Sequence, residues 1–112
     1  MRRQLVILFA LLLPFLANAK ITGPAEVPPV VHDGIRYTAP HDDGTRGYVQ
    51  AHDVKTGKLI WETTVFRIAI VPGLETDVQW RFIGKLSVQD GALVVVGNQK
   101  TYRLDLKTGG KK

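Results

Sequence analysis

Cysteine is absent from the 112 residues, so the chain has neither a disulfide framework nor a lipid-modified N-terminal Cys, and its stability must come from packing. Serine is almost as scarce. Ser87 is the one serine, and it falls on the predicted wet face of a strand rather than on a strained elbow, a poor place for a nucleophile. No segment spaces its apolar residues as an amphipathic helix does. No stretch interleaves basic side chains with stacking aromatics, as a nucleic-acid surface would. Long apolar runs are confined to Leu5–Leu16, shorter than the roughly 20 residues of a membrane span and interrupted by Pro14.

That run follows the basic Met1-Arg2-Arg3 and precedes Ala17-Asn18-Ala19, a small-x-small site. The pattern predicts a secretory signal over residues 1–19, cleaved after Ala19, with export to the periplasm or the extracellular space and no membrane anchor afterwards. The remaining 93 residues suffice for a single small domain. Setting aside Arg2 and Arg3 leaves 13 Lys and Arg against 10 Asp and Glu, a mild excess of +3.

What is abundant is strand and turn. Tyr48–Trp61 reads YVQAHDVKTGKLIW: an alternating strand, a turn at Lys55-Thr56-Gly57-Lys58 and a second strand carrying a large aromatic. Gly57 is expected at positive φ, as such a turn requires. Lys20–Pro29, with three prolines and a glycine, is an extended arm. Strands are predicted over residues 30–39, broken by the hairpin signal Asp33-Gly34, then over 48–53, 59–71, 78–88, 92–96 and 100–106. The 59–71 run shifts its apolar phase, which predicts either burial on both faces or a bulge near Thr63-Thr64. Along 78–88, Val78, Trp80, Phe82, Leu86 and Val88 alternate with polar residues. The expected core is Val49, Ala51, Ile60, Trp61, Phe66, Ile68, Trp80, Phe82, Leu86, Val94, Val96, Tyr102 and Leu104.

Asp53-Val54-Lys55-Thr56-Gly57 matches Asp105-Leu106-Lys107-Thr108-Gly109 at an offset of 52. Asp33-Gly34-Ile35 matches Asp90-Gly91-Ala92 at 57, the five extra residues lying around the His41–Arg46 loop. The chain therefore contains two repeats, about 30–71 and 78–107, followed by a flexible basic tail over 108–112. These residues resemble the PQQ-like, quinoprotein-type β-propeller repeat, whose blades carry a D-G turn, a strand, an A-x-D-x-x-T-G-K turn and then a Trp. The matching positions are Asp33-Gly34, Ala51, Asp53, Thr56, Gly57, Lys58 and Trp61. The second copy stops before its Trp.

The resemblance implies that Asp53, Gly57, Trp61, Asp105 and Gly109 build turns and dock one blade on the next. It transfers no catalytic and no cofactor-binding residue. Quinoprotein dehydrogenases bind pyrroloquinoline quinone and a metal at the centre of a closed ring, which takes roughly 4 to 8 blades, whereas two copies are present here. The expected fold is all-β: a small antiparallel domain of two blade-like β-meanders, closed as a compact sandwich or barrel rather than a full propeller.

Other chemistry has little support in the residues. His41, Asp42, Asp43 and His52 are of metal-ligating type, but their spacing matches no ligand signature, and Asp and Gly in such a run make a solvated loop. Asp42 and Asp43 are adjacent in one turn, and Asp53 and Asp105 precede matching turns, where carboxylates cap backbone N–H groups rather than flank a substrate. Trp61, Trp80 and Arg81 form the candidate binding surface, for a small ligand or sugar, although a Trp in a small β domain more often fills the core. The functional expectation is an exported, non-enzymatic and monomeric module with no cofactor or metal, binding another protein or an envelope component. A ligand-binding domain is the alternative.

Overall fold

The computed structural model describes residues 25–75 and 79–112. The expected signal at residues 1–19 and Val78 lie outside them. Seven strands form two antiparallel sheets. In the first sheet β1 (Val30–His32), β2 (Ile35–Thr38), β3 (Arg46–Asp53) and β4 (Leu59–Arg67) follow one another in sequence order. The second repeats the plan with β5 (Ile83–Gln89), β6 (Ala92–Gly97) and β7 (Lys100–Asp105).

The hairpins form where the backbone is steered into left-handed turns. Asp33 and Gly34, at φ 56° and 79°, join β1 to β2, and Asp90 and Gly91, at 50° and 76°, join β5 to β6. Two consecutive positive φ values give the turn twist that matches the twist of paired strands. Asn98 and Gln99, at 51° and 62°, do the same between β6 and β7 without a glycine.

The sheets are two layers sharing one core, not a closed barrel. Tyr37, Val49, Ala51, Trp61 and Val65 of the first meet Ile83, Leu86, Leu93, Val95 and Leu104 of the second. Register sets Val95 beside Leu86 and Tyr102, and Leu93 beside Val88 and Leu104. Side-chain alternation therefore turns Val94 and Val96 to the opposite face of that sheet. Each fully buried Leu or Val contributes about 1.5 to 3 kcal/mol relative to exposure.

Bulges account for the departures from the expected pattern. In β4, Ile60 and Val65 are the extra residues against β3, because Ala51 faces Trp61 while His52 faces Leu59, and Gly47 faces Phe66 while Tyr48 faces Thr64. The second slip lets consecutive Val65 and Phe66 both be buried, whereas the first leaves Ile60, expected in the core, 46% exposed. In β5, Gly84 is the extra residue, since Ile83 faces Gly97 and Lys85 faces Val96. Ile83 and Leu86 thus share the buried side although three positions apart. The strand expected from residue 78 begins only at Ile83, so Trp80 and Phe82 precede it and are half-buried rather than core. β4 ends at Arg67 and stays within the first sheet. The expected tail over 108–112 folds back: Gly109 is buried and Lys111 bridges Leu104.

Candidate functional site

The turn after β3 is held by one carboxylate. Asp53 Oδ1 accepts the N–H groups of Lys55 and Thr56 at 2.8 and 3.0 Å, Gly57 N–H donates to Asp53 O at 2.8 Å, and Lys58 N–H to Thr56 Oγ1 at 3.2 Å. After β7 the same bonds recur. Asp105 Oδ1 accepts from Lys107 and Thr108 at 2.8 and 2.9 Å, Gly109 N–H donates to Asp105 O at 2.8 Å, and Gly110 N–H to Thr108 Oγ1 at 3.1 Å. Gly57 and Gly109 have φ of 76° and 78°. The backbone N–H groups of Thr108 and Lys107 hold the Asp105 carboxyl below its ordinary range.

The second turn has a visitor that the first lacks. Trp61, 8% exposed, projects from β4 onto it and donates its indole N–H to Leu106 O at 3.1 Å. Tyr37 Oη–H donates to the same carbonyl at 3.0 Å, and the two rings are tilted with centroids 5.8 Å apart. Thr63 Oγ1–H donates to Gly109 O at 2.7 Å, and Lys111 Nζ to Val65 O at 3.2 Å. A Cβ on Gly109 would stand 2.4 Å from the indole, so the approach of Trp61 requires the bare Cα. Gly57, by contrast, has nothing within 4 Å of a Cβ. Burial, then the charges of Asp33 and Asp105, raise the Tyr37 hydroxyl above its ordinary pKa.

The three residues of the expected binding surface are not brought together. Trp61 lies in the seam between the sheets. Trp80 packs on Gly44, whose Cβ would fall 2.1 Å from the indole, and meets Phe82 edge-on at 6.2 Å. Its indole nitrogen is buried without a hydrogen-bond acceptor among the described residues. Arg81 is exposed and turns its guanidinium back onto Trp80 O at 2.8 Å.

His41 corrects the expectation of a solvated loop. It is 8% exposed, its Nε2 lies 2.9 Å from Ile83 O, and its ring tilts against Phe82 at 4.9 Å. Because a carbonyl only accepts, Nε2 carries the proton. Asp42 and Asp43 remain exposed. Asp43 caps its turn by accepting from Thr45 N–H and Oγ1–H at 2.9 and 2.6 Å, which lowers its pKa.

A polar network on the far face of the first sheet escaped the sequence reading. Tyr48 Oη–H donates to Asp42, at 2.7 and 2.9 Å from its two oxygens, while the Arg46 guanidinium lies 3.7 Å over the Tyr48 ring. Arg46 also pairs with Glu62 at 3.3 Å and donates to Thr64 at 2.7 Å, and Gln50 Nε2 donates to Glu62 at 2.8 Å. Burial first, then the bond to Asp42, pushes Tyr48 up to about 12. The Gln50 bond first, then Arg46, lowers Glu62. The available signal was the alternation of Arg46, Tyr48, Gln50 and His52 opposite Glu62 and Thr64, which register brings side by side.

Ser87 accepts from Gln89 Nε2 at 2.9 Å. Among the described residues no three His, Asp or Glu side chains stand together to hold a metal, and no helix is long and apolar enough to cross a membrane. No protein-family model matches the chain, and a search of curated proteins finds no match.

Proposed function

We propose that the protein is an exported, non-enzymatic β-repeat module that binds another protein or an envelope component, as PQQ-like propeller-repeat scaffolds do. The observation that carries the reading is the seat of Trp61 on the turn of the second sheet. That turn reproduces the bonds of its counterpart 52 residues earlier, which supports reading the two sheets as consecutive copies of one unit. Of the residues that the resemblance picks out, Trp61 and Gly109 pack unit against unit, while Asp53, Gly57 and Asp105 build the turns.

A ligand-binding domain would need Trp61 at a surface beside Trp80 and Arg81, and here Trp61 is the seam. A quinoprotein activity would need a ring of blades enclosing the quinone, and among the described residues the two sheets form no ring. What remains accessible is broad sheet surface and strand edge, which suits a macromolecular partner.

The test is affinity capture from an envelope extract by the purified chain, followed by titration of the captured protein. A saturable one-to-one complex supports the reading. A change of absorbance on adding pyrroloquinoline quinone and calcium, or quenching of Trp fluorescence by sugars without any protein partner, overturns it. Light scattering is expected to give the mass of one chain.

A further inference from the structure

Aspartate is followed by glycine at residues 33–34, 43–44 and 90–91, and the pair is reactive as well as turn-forming. The glycine backbone nitrogen can attack the aspartate Cγ. The N–Cγ bond forms, a Cγ–O bond breaks, and the carboxyl hydroxyl leaves with the amide proton as water. Water then reopens the succinimide ring. Attack at Cγ restores aspartate, and attack at the backbone carbonyl gives isoaspartate, whose main chain runs through the former side chain and is one carbon longer. No oxidant, cofactor or second substrate enters the balance.

The reaction needs a peptide free to rotate, a reachable nitrogen and a carboxyl able to hold a proton, and Asp43-Gly44 meets none of these. Gly44 is buried under the Trp80 indole and its carbonyl accepts from Arg81 N–H at 2.9 Å, while Asp43 O accepts from Arg46 N–H at 3.1 Å. The Asp43 carboxylate is held ionised by Thr45 Oγ1–H and N–H.

Asp33-Gly34 and Asp90-Gly91 stand at exposed hairpin tips, with nothing within 4 Å of a Cβ on either glycine. Neither aspartate side chain makes a hydrogen bond among the described residues. Both aspartates lie in the left-handed region, at φ 56° and 50°, where a side chain is strained, so departing from the native turn costs them less. One bond separates the two. Gly34 O accepts from Val54 N–H at 3.0 Å, which ties its turn to the end of β3, and Gly91 forms no counterpart.

We propose that Asp90-Gly91 is a site of spontaneous aspartate isomerisation in the folded protein, that Asp33-Gly34 is a slower one, and that the seat of Trp80 on Gly44 shields the third pair. The product exposes an α-carboxylate, the group that carboxyl methyltransferases esterify with S-adenosylmethionine. Its extra backbone carbon also breaks the two-residue turn that sets Gln89 against Ala92, and with it the register that buries Leu86 beside Val95.

Purified protein is held warm in mildly acidic buffer and sampled by peptide mapping, with fragment ions that distinguish isoaspartate, and by methyl transfer from labelled S-adenosylmethionine. Isoaspartate should appear first at Asp90 and then at Asp33, with Asp43 at least about tenfold slower than Asp90. In urea all three should convert at similar rates, because only the fold ranks them. Aged protein should exchange its β5 and β6 amides faster. Asp90→Glu, which can close only a larger ring, should remove the signal at that position alone. Trp80→Ala, checked by circular dichroism to keep its fold, should bring Asp43 into conversion. Conversion of Asp43 at the rate of Asp90 in the folded wild type, the same ranking in urea, or no conversion of Asp90 over a time in which the denatured chain converts overturns the proposal.

Discussion

The Leu106 carbonyl accepts two hydrogen bonds, from Trp61 Nε1 at 3.1 Å and from Tyr37 Oη at 3.0 Å, and this sharing has a measurable signature. Tyr37→Phe deletes one donor and leaves the carbonyl paired, a cost of about 1 kcal/mol. Trp61→Phe deletes the other and also part of a buried ring system, a cost of about 2 kcal/mol. Each single variant keeps the acceptor satisfied. The double variant leaves a partly buried carbonyl with neither donor, which adds an unpaired-group penalty of about 1 to 2 kcal/mol beyond the sum of the singles. Urea denaturation of the four proteins, followed by far-ultraviolet circular dichroism so that loss of an aromatic does not blind the assay, measures this coupling. Additivity within about 0.5 kcal/mol would mean that the two donors do not compete to satisfy one group, and would refute the account of the seam.

Gly109→Ala should destabilise more than Gly57→Ala, by about 1 to 3 kcal/mol, because the two share a positive φ while Gly109 alone has an indole in the way of a Cβ; equal melting temperatures would contradict this. Gly57→Val should in turn destabilise more than Gly110→Val, the latter lacking a positive φ. Tyr48, with its folded pKa raised from 10.0 to about 12, favours the folded state in full below pH 10 and loses that contribution as pH rises towards 12. A Tyr48→Phe variant should therefore show a flatter fall of melting temperature across that window. Leu93→Ala, at a fully buried site, should cost about 2 to 5 kcal/mol, and Phe82→Ala, half-buried, less than the 3 to 5 expected of a core Phe; the reverse order in denaturation would misplace the core.

Local turn chemistry was legible because it needs only neighbours. Asp33-Gly34, Asp53 to Gly57 and Asp90-Gly91 each declare a hairpin by residue type, and from them follow the pairs β1 with β2, β3 with β4 and β5 with β6. The phase of the strands was not, since one inserted residue reverses every side chain beyond it. The phase shift along 59–71 points to a bulge near Thr63-Thr64, and the extra residue is the adjacent Val65, but nothing in the letters distinguishes Ile60 or Gly84, so Ile60 reads as core and Ile83 does not. β6 posed a related difficulty, for a run of consecutive apolar residues does not say which of Leu93 and Val94 faces the neighbouring sheet. The burial of His41 is not legible in the sequence, because turn composition implies solvent while the burial depends on Ile83 and Phe82, distant in sequence. Trp61 stands both in the expected core and in the expected binding surface; the structure buries it in the seam, and its acceptor on the second turn requires three dimensions.

The loop that carries His41 grips both ends of the connection between the sheets. Thr45 O accepts from Ile68 N–H at 2.7 Å just beyond β4, while Gly44 O accepts from Arg81 N–H at 2.9 Å and His41 Nε2 reaches Ile83 O just before and within β5. The peptide link between those two anchor points is therefore redundant for holding the halves together. A protease nick among the exposed residues 71–75 should yield two bands in a denaturing gel yet a single species in gel filtration, and the halves, expressed as separate polypeptides, should behave as a split protein that reconstitutes itself.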